Sequence, residues 1–384
     1  MSFPDLSRMA MDITDDHMAV RDMMLRFAEE RLHPGAAERD ETRGFPVEQI
    51  NELAAMGGMA MKVAEADDGP GLDNTAYALA IEALSRFDPS VAVSAIASNL
   101  SVAILDAHAT EVQRDRWVRP VARGEKGAVS FGLSEPNAGS DAAAIRTNAR
   151  LDGDDWVLNG SKQWITSGSN AEIFVIFAKT SDKSVSCFVV EKGTPGFTLG
   201  RREQTMGLCS SGTSQLFFED CRLPAENLIG AVDRGYKLAI EALAPSRIAV
   251  AAQSLGIAER AYQLGLDYAR EREAFGKPLT GFQNTQFMLA DCRTELDAAW
   301  LVMLRGARLL DQGIEIASEA SMAKLMASEV CGRVVDRMLQ LHGGAGYSRE
   351  FEIERLYRDA RIMRIFEGTS EIQRGVISRE ILAG

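Results

Sequence analysis

The hydrophobic periodicity of this chain changes twice, and that double change limits the folds open to it. From about Thr14 to Gly124, positions such as Val20, Met24, Phe27 and Arg31, then Ile50, Leu53 and Met56, fall at three- and four-residue spacings, the mark of helices. Pro34, Pro46, Pro70 and Pro89 punctuate the pattern. The runs Thr75 to Phe87 and Val91 to His108 are rich in Ala, Leu and Ile, as expected of helices packed on more than one side. After Gly127, short apolar runs take over at Trp156 to Leu158, Ile173 to Ala178, Cys187 to Val190 and Gln215 to Phe218. Asp152-Gly153, Asn159-Gly160 and Pro195-Gly196 read as turns between them. A spacing of about ten residues with no helix between the runs predicts an antiparallel sheet or barrel, not a doubly wound sheet. No GxGxxG motif is present to cradle a dinucleotide. From Gly235 the helices return: Leu255, Ala258, Tyr262, Leu266 and Ala269 trace one face, and Pro278 is the last proline. Four long helices there would form a bundle. The expected fold is therefore α+β in three domains: an N-terminal α-helical domain (1–127), a middle β-barrel domain (128–233) and a C-terminal four-helix bundle (234–384).

A chain of 384 residues can bury a core in more than one domain. Lys and Arg number 42 against 55 Asp and Glu, a net charge of −13, which argues against nucleic-acid or anionic-membrane surfaces. An anionic ligand would need local basic residues. The five cysteines include no CxxC and the four histidines no HExxH, so neither a metal site nor a disulfide framework is expected, and the thiols read as reduced. No apolar run approaches the roughly 20 residues of a membrane span. The N-terminal stretch is acidic, unlike a signal or transit peptide. A bacterial cytoplasm is the expected location, with a mature mitochondrial matrix protein as the alternative.

The segment Arg358 to Gln373, RDARIMRIFEGTSEIQ, places Glu367 after Ile365 and Phe366 and before Gly368-Thr369. Apolar neighbours raise a carboxylate pKa, which suits a base that must take a proton from carbon. Gly368 permits close approach of a ligand, and Thr369, Ser370 and Glu371 supply groups that cap a helix or bind at its N-terminus. The same residues also fit an ordinary capping box before Ile372.

Four further stretches carry candidate groups. FGLSEPNAGSD (131–141) is rich in turn residues whose backbone N–H groups bind anions or polar ring edges, or form a plain surface loop. GSKQWITSG (160–168) is a polar turn leading into Trp164, which by itself reads as core. In ALAPSRIAVAAQ, Pro245 and Ser246 sit near the expected first turn of a long helix. Arg247 there, followed by apolar residues, needs a carboxylate or ligand partner. REREAFGKPLTGFQNTQ and QLHGGAGY each read as helix end, turn and helix. Arg272 has the forked donors of a pyrophosphate ligand, and Gly343 and Gly344 allow backbone approach to a nucleotide. His342 reads as a packed loop residue and Arg86 as a helix-end salt bridge.

IFEGTSEIQR with its RDAR prelude resembles the C-terminal signature of the acyl-CoA dehydrogenase family, and further motifs recur in family order along nearly the whole chain. The resemblance implies FAD and an acyl-CoA substrate. It implies that Glu367 abstracts the α-proton while the β-hydrogen leaves as hydride to flavin N5, giving a trans-2-enoyl-CoA, with electrons passing to an electron-transferring flavoprotein. The thioester oxygen would be hydrogen-bonded by the Glu367 N–H and a flavin ribityl hydroxyl. Phe131, Leu133 and Ser134 would meet the isoalloxazine, and Trp164 and Thr166 would lie against it. Arg272, Phe275, Gln283, Gln340, Gly343 and Gly344 would hold the FAD of a neighbouring subunit, which implies a homotetramer. Thr369 and Glu371 join the cofactor set, and Ser140, Arg247 and Gly368 the substrate set. The chain departs from the family with Asn137 where Gly is common and Ala244 where Asp is common. At Ser246 it has a hydroxyl where some branched- and long-chain members carry their base. Rival readings are an oxidase, a monooxygenase or a desulfinase on the same scaffold, and a non-catalytic scaffold protein. A monooxygenase would not need Glu367.

Overall fold

The computed structural model describes residues 11–383; residues 1–10 of the acidic N-terminal stretch lie outside them. Helix starts are fixed by local chemistry. Thr14 and His17 cap each other at the head of α1 (Asp15–Phe27). Two short helices, α2 (Ala36–Thr42) and α3 (Val47–Ala55), follow. Asp73 accepts from the Ala76 N–H at the head of α4 (Asn74–Ser85), and Asp88 from Ser90 and Val91 at the head of α5 (Pro89–His108). Thr110 and Gln113 form a capping box for α6 (Glu111–Trp117), and α7 (Arg119–Ala122) closes the segment. Between α1 and α2 a π-turn at Ala28–Leu32 shifts the helical register. Leu32, not Arg31, is therefore buried, and Arg31 leaves the expected face to pair with Glu52 at the surface.

Helix α5 corrects the expectation that no run is long and apolar enough to span a bilayer: it passes by length and composition, with 83% of the apolar stretch buried within the protein. Its serines and Asn99 break up the apolar pattern in the sequence, but each can be satisfied inside the fold. Ser94 and Ser101 donate back to carbonyls one turn earlier, and Asn99 donates to Gly58 and Ala95. Arg86 pairs with Glu82 at 2.6 Å, and the fully buried Glu82 also receives Arg21 from α1.

The middle of the chain forms one eight-stranded sheet. Its strands are β1 (Val129–Gly132), β2 (Asn148–Asp152), β3 (Asp155–Ile165), β4 (Ile173–Lys179), β5 (Val185–Glu191), β6 (Phe197–Arg202), β7 (Ser214–Pro224) and β8 (Leu228–Ile229). They run in the order β6-β7-β3-β2-β4-β5-β8, with β1 beside β4. The sheet curls around its own apolar core, for Phe197 on the edge strand β6 touches Phe174 on β4 with ring centroids 4.9 Å apart. It is barrel-like with an open seam, since β6 and β8 do not pair among the described residues. It is also not wholly antiparallel: β1 and β2 both meet β4 in parallel. Strand β4 explains its unbroken apolar run. Phe174, Ile176 and Ala178 face the core inside the sheet, while Ile173, Val175 and Phe177 face the helices.

Asp152-Gly153 makes the expected hairpin turn, but Asn159-Gly160 does not. Strand β3 runs straight through it with a bulge, and Gly160 passes so close to Thr147 that a Cβ there would lie 2.6 Å from the Thr147 Cα.

The C-terminal region has three long helices, α8 (Gly235–Glu271), α9 (Gln283–Asp311) and α10 (Ala317–His342), of 37, 29 and 26 residues. In place of a fourth long helix come α11 (Glu352–Ala360) and the 14-residue α12 (Ser370–Ala383), which packs on α10. Helix α4 packs on α8 and α9, so helices from both ends of the chain share one core. Helix α8 also corrects the expected start at Pro245. It begins at Gly235 and continues past the proline, which has no N–H to give to the Glu241 carbonyl.

Candidate active site

Glu367 sits where the chain reverses between α11 and α12. A 3-10 turn at Arg361–Arg364 ends the first helix, and Glu367 and Gly368 then adopt φ of 55° and 93°. The left-handed backbone at a glutamate costs about 1–2 kcal/mol, so neighbouring groups must hold it. Gln373 Nε2 donates to the carbonyls of Glu367 and Gly368 at 3.1 and 2.9 Å, and Lys324 Nζ donates to Gly368 at 2.8 Å. A side chain at Gly368 would collide with that amide, its Cβ lying 2.6 Å from Gln373 Nε2. The helix cap is Thr369, whose hydroxyl accepts from the Ile372 N–H at 3.3 Å. Glu367 is thus free of the capping role that its sequence context also allowed.

Its carboxylate is enclosed, and burial pushes its pKa up to about 7; nearby Arg247, Ser246 and Lys324 pull the other way. Buried Oε2 has no hydrogen-bond partner among the described residues, and neither has the buried Ser246 hydroxyl. The cations are turned to other partners: Arg247 Nη1 donates to Ser321 Oγ at 3.3 Å and Lys324 to Gly368. Burial lowers the pKa of both, Lys324 to about 8. A carboxylate titrating near neutrality with an unshared oxygen can act as a general base. Beside it, a cavity of about 40 Å³ is bounded by Ser246, Pro245, Leu100, Tyr77 and Lys62.

The FGLSEPNAGSD and GSKQWITSG stretches meet side by side. Phe131 lies on β1, a strand the sequence pattern did not reveal. Gln163 N donates to Ser134 O at 3.0 Å, and Ser130 Oγ to Thr166 O at 2.8 Å. Behind them the fully buried Lys162 bridges Leu133 O (3.1 Å) and Glu135 (2.8 Å), while Glu135 also accepts from the N–H groups of Arg146 and Thr147. Trp164 corrects the reading as core: it stands in a left-handed bulge of β3, 56% exposed. Ser140 and Asn137 are exposed on the loop after β1. No hydrogen bond or ion pair among the described residues links Ser140 to Glu367.

The remaining candidates form a second patch. Arg272 follows α8, Phe275 (96% exposed, φ 51°) tips a two-residue-strand hairpin, and Gln283 starts α9. Gln340, Gly343 and Gly344 lie exposed at the end of α10, with open space where side chains would be on the two glycines. Tyr268 on α8 stacks on His342 at 4.3 Å and ties the two helix ends together. His342 is itself buried, with Nδ1 2.7 Å from Met338 O, as a packing residue. The two patches share no hydrogen bond or ion pair among the described residues. Exposed flat aromatic faces and a forked guanidinium fit a planar ring system carrying a pyrophosphate. Glu371 is exposed in the first turn of α12.

Sequence reasoning missed Lys324, Lys162, Glu135 and Gln373. Lys324 had a readable signal, a single cation in the apolar run MAKLM, the same cue that singled out Arg247. Lys162 had none, because GSKQW looks like a solvated turn.

Family models match along the chain: acyl-CoA dehydrogenase N-terminal domain at residues 14–125, middle domain at 130–221 and C-terminal domain at 233–382. The short-chain specific acyl-CoA dehydrogenase of Rattus norvegicus mitochondria is 42% identical over 378 residues, covering 97% of this chain and 92% of the relative. Among solved structures, butyryl-CoA dehydrogenase from Megasphaera elsdenii superposes with a TM-score of 0.94 at 38% identity, covering 97% of this chain and 99% of the other. A chain in a structure of the electron transferring flavoprotein of Acidaminococcus fermentans gives the same TM-score of 0.94 at 39% identity, with 97% and 99% covered. The chain belongs to the acyl-CoA dehydrogenase family of FAD-dependent oxidoreductases.

Proposed function

We propose that this protein oxidises a short acyl-CoA to its trans-2-enoyl-CoA, with Glu367 as the base for the α-proton. The observation that carries this reading is the Glu367 carboxylate, whose Oε2 is buried and unpartnered among the described residues and whose pKa burial pushes up to about 7. Ionised, it takes the proton; once protonated it is the neutral form that burial favours, so the enclosure helps the transfer to completion. Arg247 and Lys324 stabilise the charged form from nearby without a hydrogen bond to Oε2. The Glu367 N–H, which makes no hydrogen bond among the described residues, is available to the thioester oxygen, where enolate charge develops.

Bound FAD supplies the acceptor for the β-hydrogen. Phe131, Leu133, Ser134, Trp164 and Thr166 would hold its ring on one chain, with Thr369 and Glu371 at the α12 end. Arg272, Phe275, Gln283, Gln340, Gly343 and Gly344 would come from a second copy, in keeping with their separation into another patch. We therefore propose a homotetramer, a dimer of dimers, with electron-transferring flavoprotein as the electron acceptor. Arg247, Gly368 and Ser140 are the proposed substrate contacts. A reducing bacterial cytoplasm accords with five buried cysteines that are all unpaired.

The test is anaerobic addition of butanoyl-CoA and longer acyl-CoAs to the FAD-loaded protein. Bleaching of the flavin's visible absorbance, with enoyl-CoA recovered, is expected. An absorbance that no saturating acyl-CoA changes would overturn the reading, and rapid re-oxidation by dioxygen would mark an oxidase instead.

A further inference from the structure

The cavity beside Glu367 is lined by a cation, Lys62, that has no ion-pair partner among the described residues. Leu100, Ala103 and Pro245 make part of its wall apolar, and Tyr77 and Lys62 add donors. Among the described residues, Lys62 Nζ has one long contact, to Asn74 Oδ1 at 3.4 Å, and lies over the Tyr77 ring, 5.5 Å from its centroid. The two acids that reach it electrostatically, Asp311 and Asp106, are engaged elsewhere. Asp311 accepts from the backbone and side chains of Asn74 and Thr75, and Asp106 pairs with Arg114 at 2.7 Å. Asn99 is spent on Met61, Gly58 and Ala95. Among the described residues the Tyr77 hydroxyl makes no hydrogen bond. Lys62 and Tyr77 are thus donors that face the cavity without a strong acceptor.

A half-buried ammonium without a close anion carries a desolvation cost, and an oxygen brought by a ligand offsets it. Size narrows the ligand further. About 40 Å³ admits roughly three water-sized groups, at about 10–15 Å³ each. We infer that the acyl group taken by this site is short and ends in an oxygen acceptor, a hydroxyl, carbonyl or carboxylate, received by Lys62 with Tyr77 beside it. Lys62 is then a specificity-determining residue. The inference rests on the dehydrogenase reading above and names its substrate class.

The experiment compares acyl-CoAs of one chain length that differ only at the far end: pentanoyl-CoA, its ω-hydroxy analogue and glutaryl-CoA. Anaerobic flavin reduction is followed in the FAD-loaded wild type and in Lys62→Met. The wild type is expected to favour an oxygen-ended substrate in kcat/KM by about tenfold or more, the effect of one hydrogen bond to a charged donor. Lys62→Met, of similar size and without the charge, is expected to abolish or invert the preference. Affinities measured with Glu367→Gln, which binds without turnover, should show the same order. Each ratio is taken within one protein, so a folding defect cancels. A wild type that reduces pentanoyl-CoA as well or better, or a ratio that Lys62→Met leaves unchanged, would overturn the inference while leaving the dehydrogenase reading intact. Failure of every acyl-CoA to bleach the flavin overturns both.

Discussion

Lys324 Nζ donates to the carbonyl oxygen of Gly368 at 2.8 Å, one residue beyond the carboxylate it would otherwise neutralise. The ammonium therefore fixes the turn that carries Glu367 and biases its charge, while Oε2 stays unshared. A direct ion pair would hold the acid ionised and poor as a proton acceptor; this arrangement leaves it titrating near neutrality.

Glu367→Gln should keep the fold, FAD and acyl-CoA binding, because Gln is nearly isosteric and loses only the ability to accept a proton. Flavin reduction should fall by at least ~10²–10⁴-fold. Stopped-flow reduction checks this, and a variant that retains near wild-type rates would move the base elsewhere.

The same substitution has a stability signature. Burial raises the Glu367 pKa from 4.5 to about 7, so its favourable contribution is complete below the ordinary carboxylate range and is lost as pH rises through about 7. Glu367→Gln should melt with the wild type near pH 4.5 and be more stable above pH 7, by ~1–3 kcal/mol. Denaturant titrations at both pH values decide it; equal stability throughout contradicts the raised pKa.

Lys324→Met removes a charge that favours ionised Glu367. The acid limb of the activity profile should move to higher pH, and stability should drop by ~1–3 kcal/mol with the lost charged hydrogen bond. A limb that stays in place would confine Lys324 to holding the turn.

Arg272→Ala should loosen FAD and weaken the assembly together, since the second patch is proposed to serve a neighbouring subunit. Flavin retained on ultrafiltration and mass from light scattering report the two effects. Loss of neither would make Arg272 a plain surface residue.

Lys162 and Glu135 form a buried pair at 2.8 Å behind Leu133 and Ser134. Lys162→Met alone strands the carboxylate and should cost about 3–5 kcal/mol, with weaker FAD retention; adding Glu135→Gln should recover much of the loss. Chemical denaturation of both variants tests this, and additive losses would contradict it.

The helical regions at both ends and four of the strands between them were legible in the amino-acid order, because periodicity and capping act within a few residues; β1, β2 and β6 carried no such apolar run. Thr14, Asp73, Asp88 and Thr110 start their helices with groups visible in the chain. The amino-acid order also singled out Glu367 and its motif. Where local signals served two outcomes, only the folded chain chose. Asn159-Gly160 carries the residues of a turn, yet its neighbours pair on with β7 and make it a bulge. Pro245 carries the signal of a helix start, yet lies inside α8. The Ala/Ser-rich α5 became a largely internal helix because other helices and the sheet surround most of it. The character of Glu367 is likewise a tertiary product. Arg247, Ser246 and Lys324 lie on α8 and α10, far from it in sequence. Desolvation and charge act through space at a few ångströms, and only folding brings those groups that close.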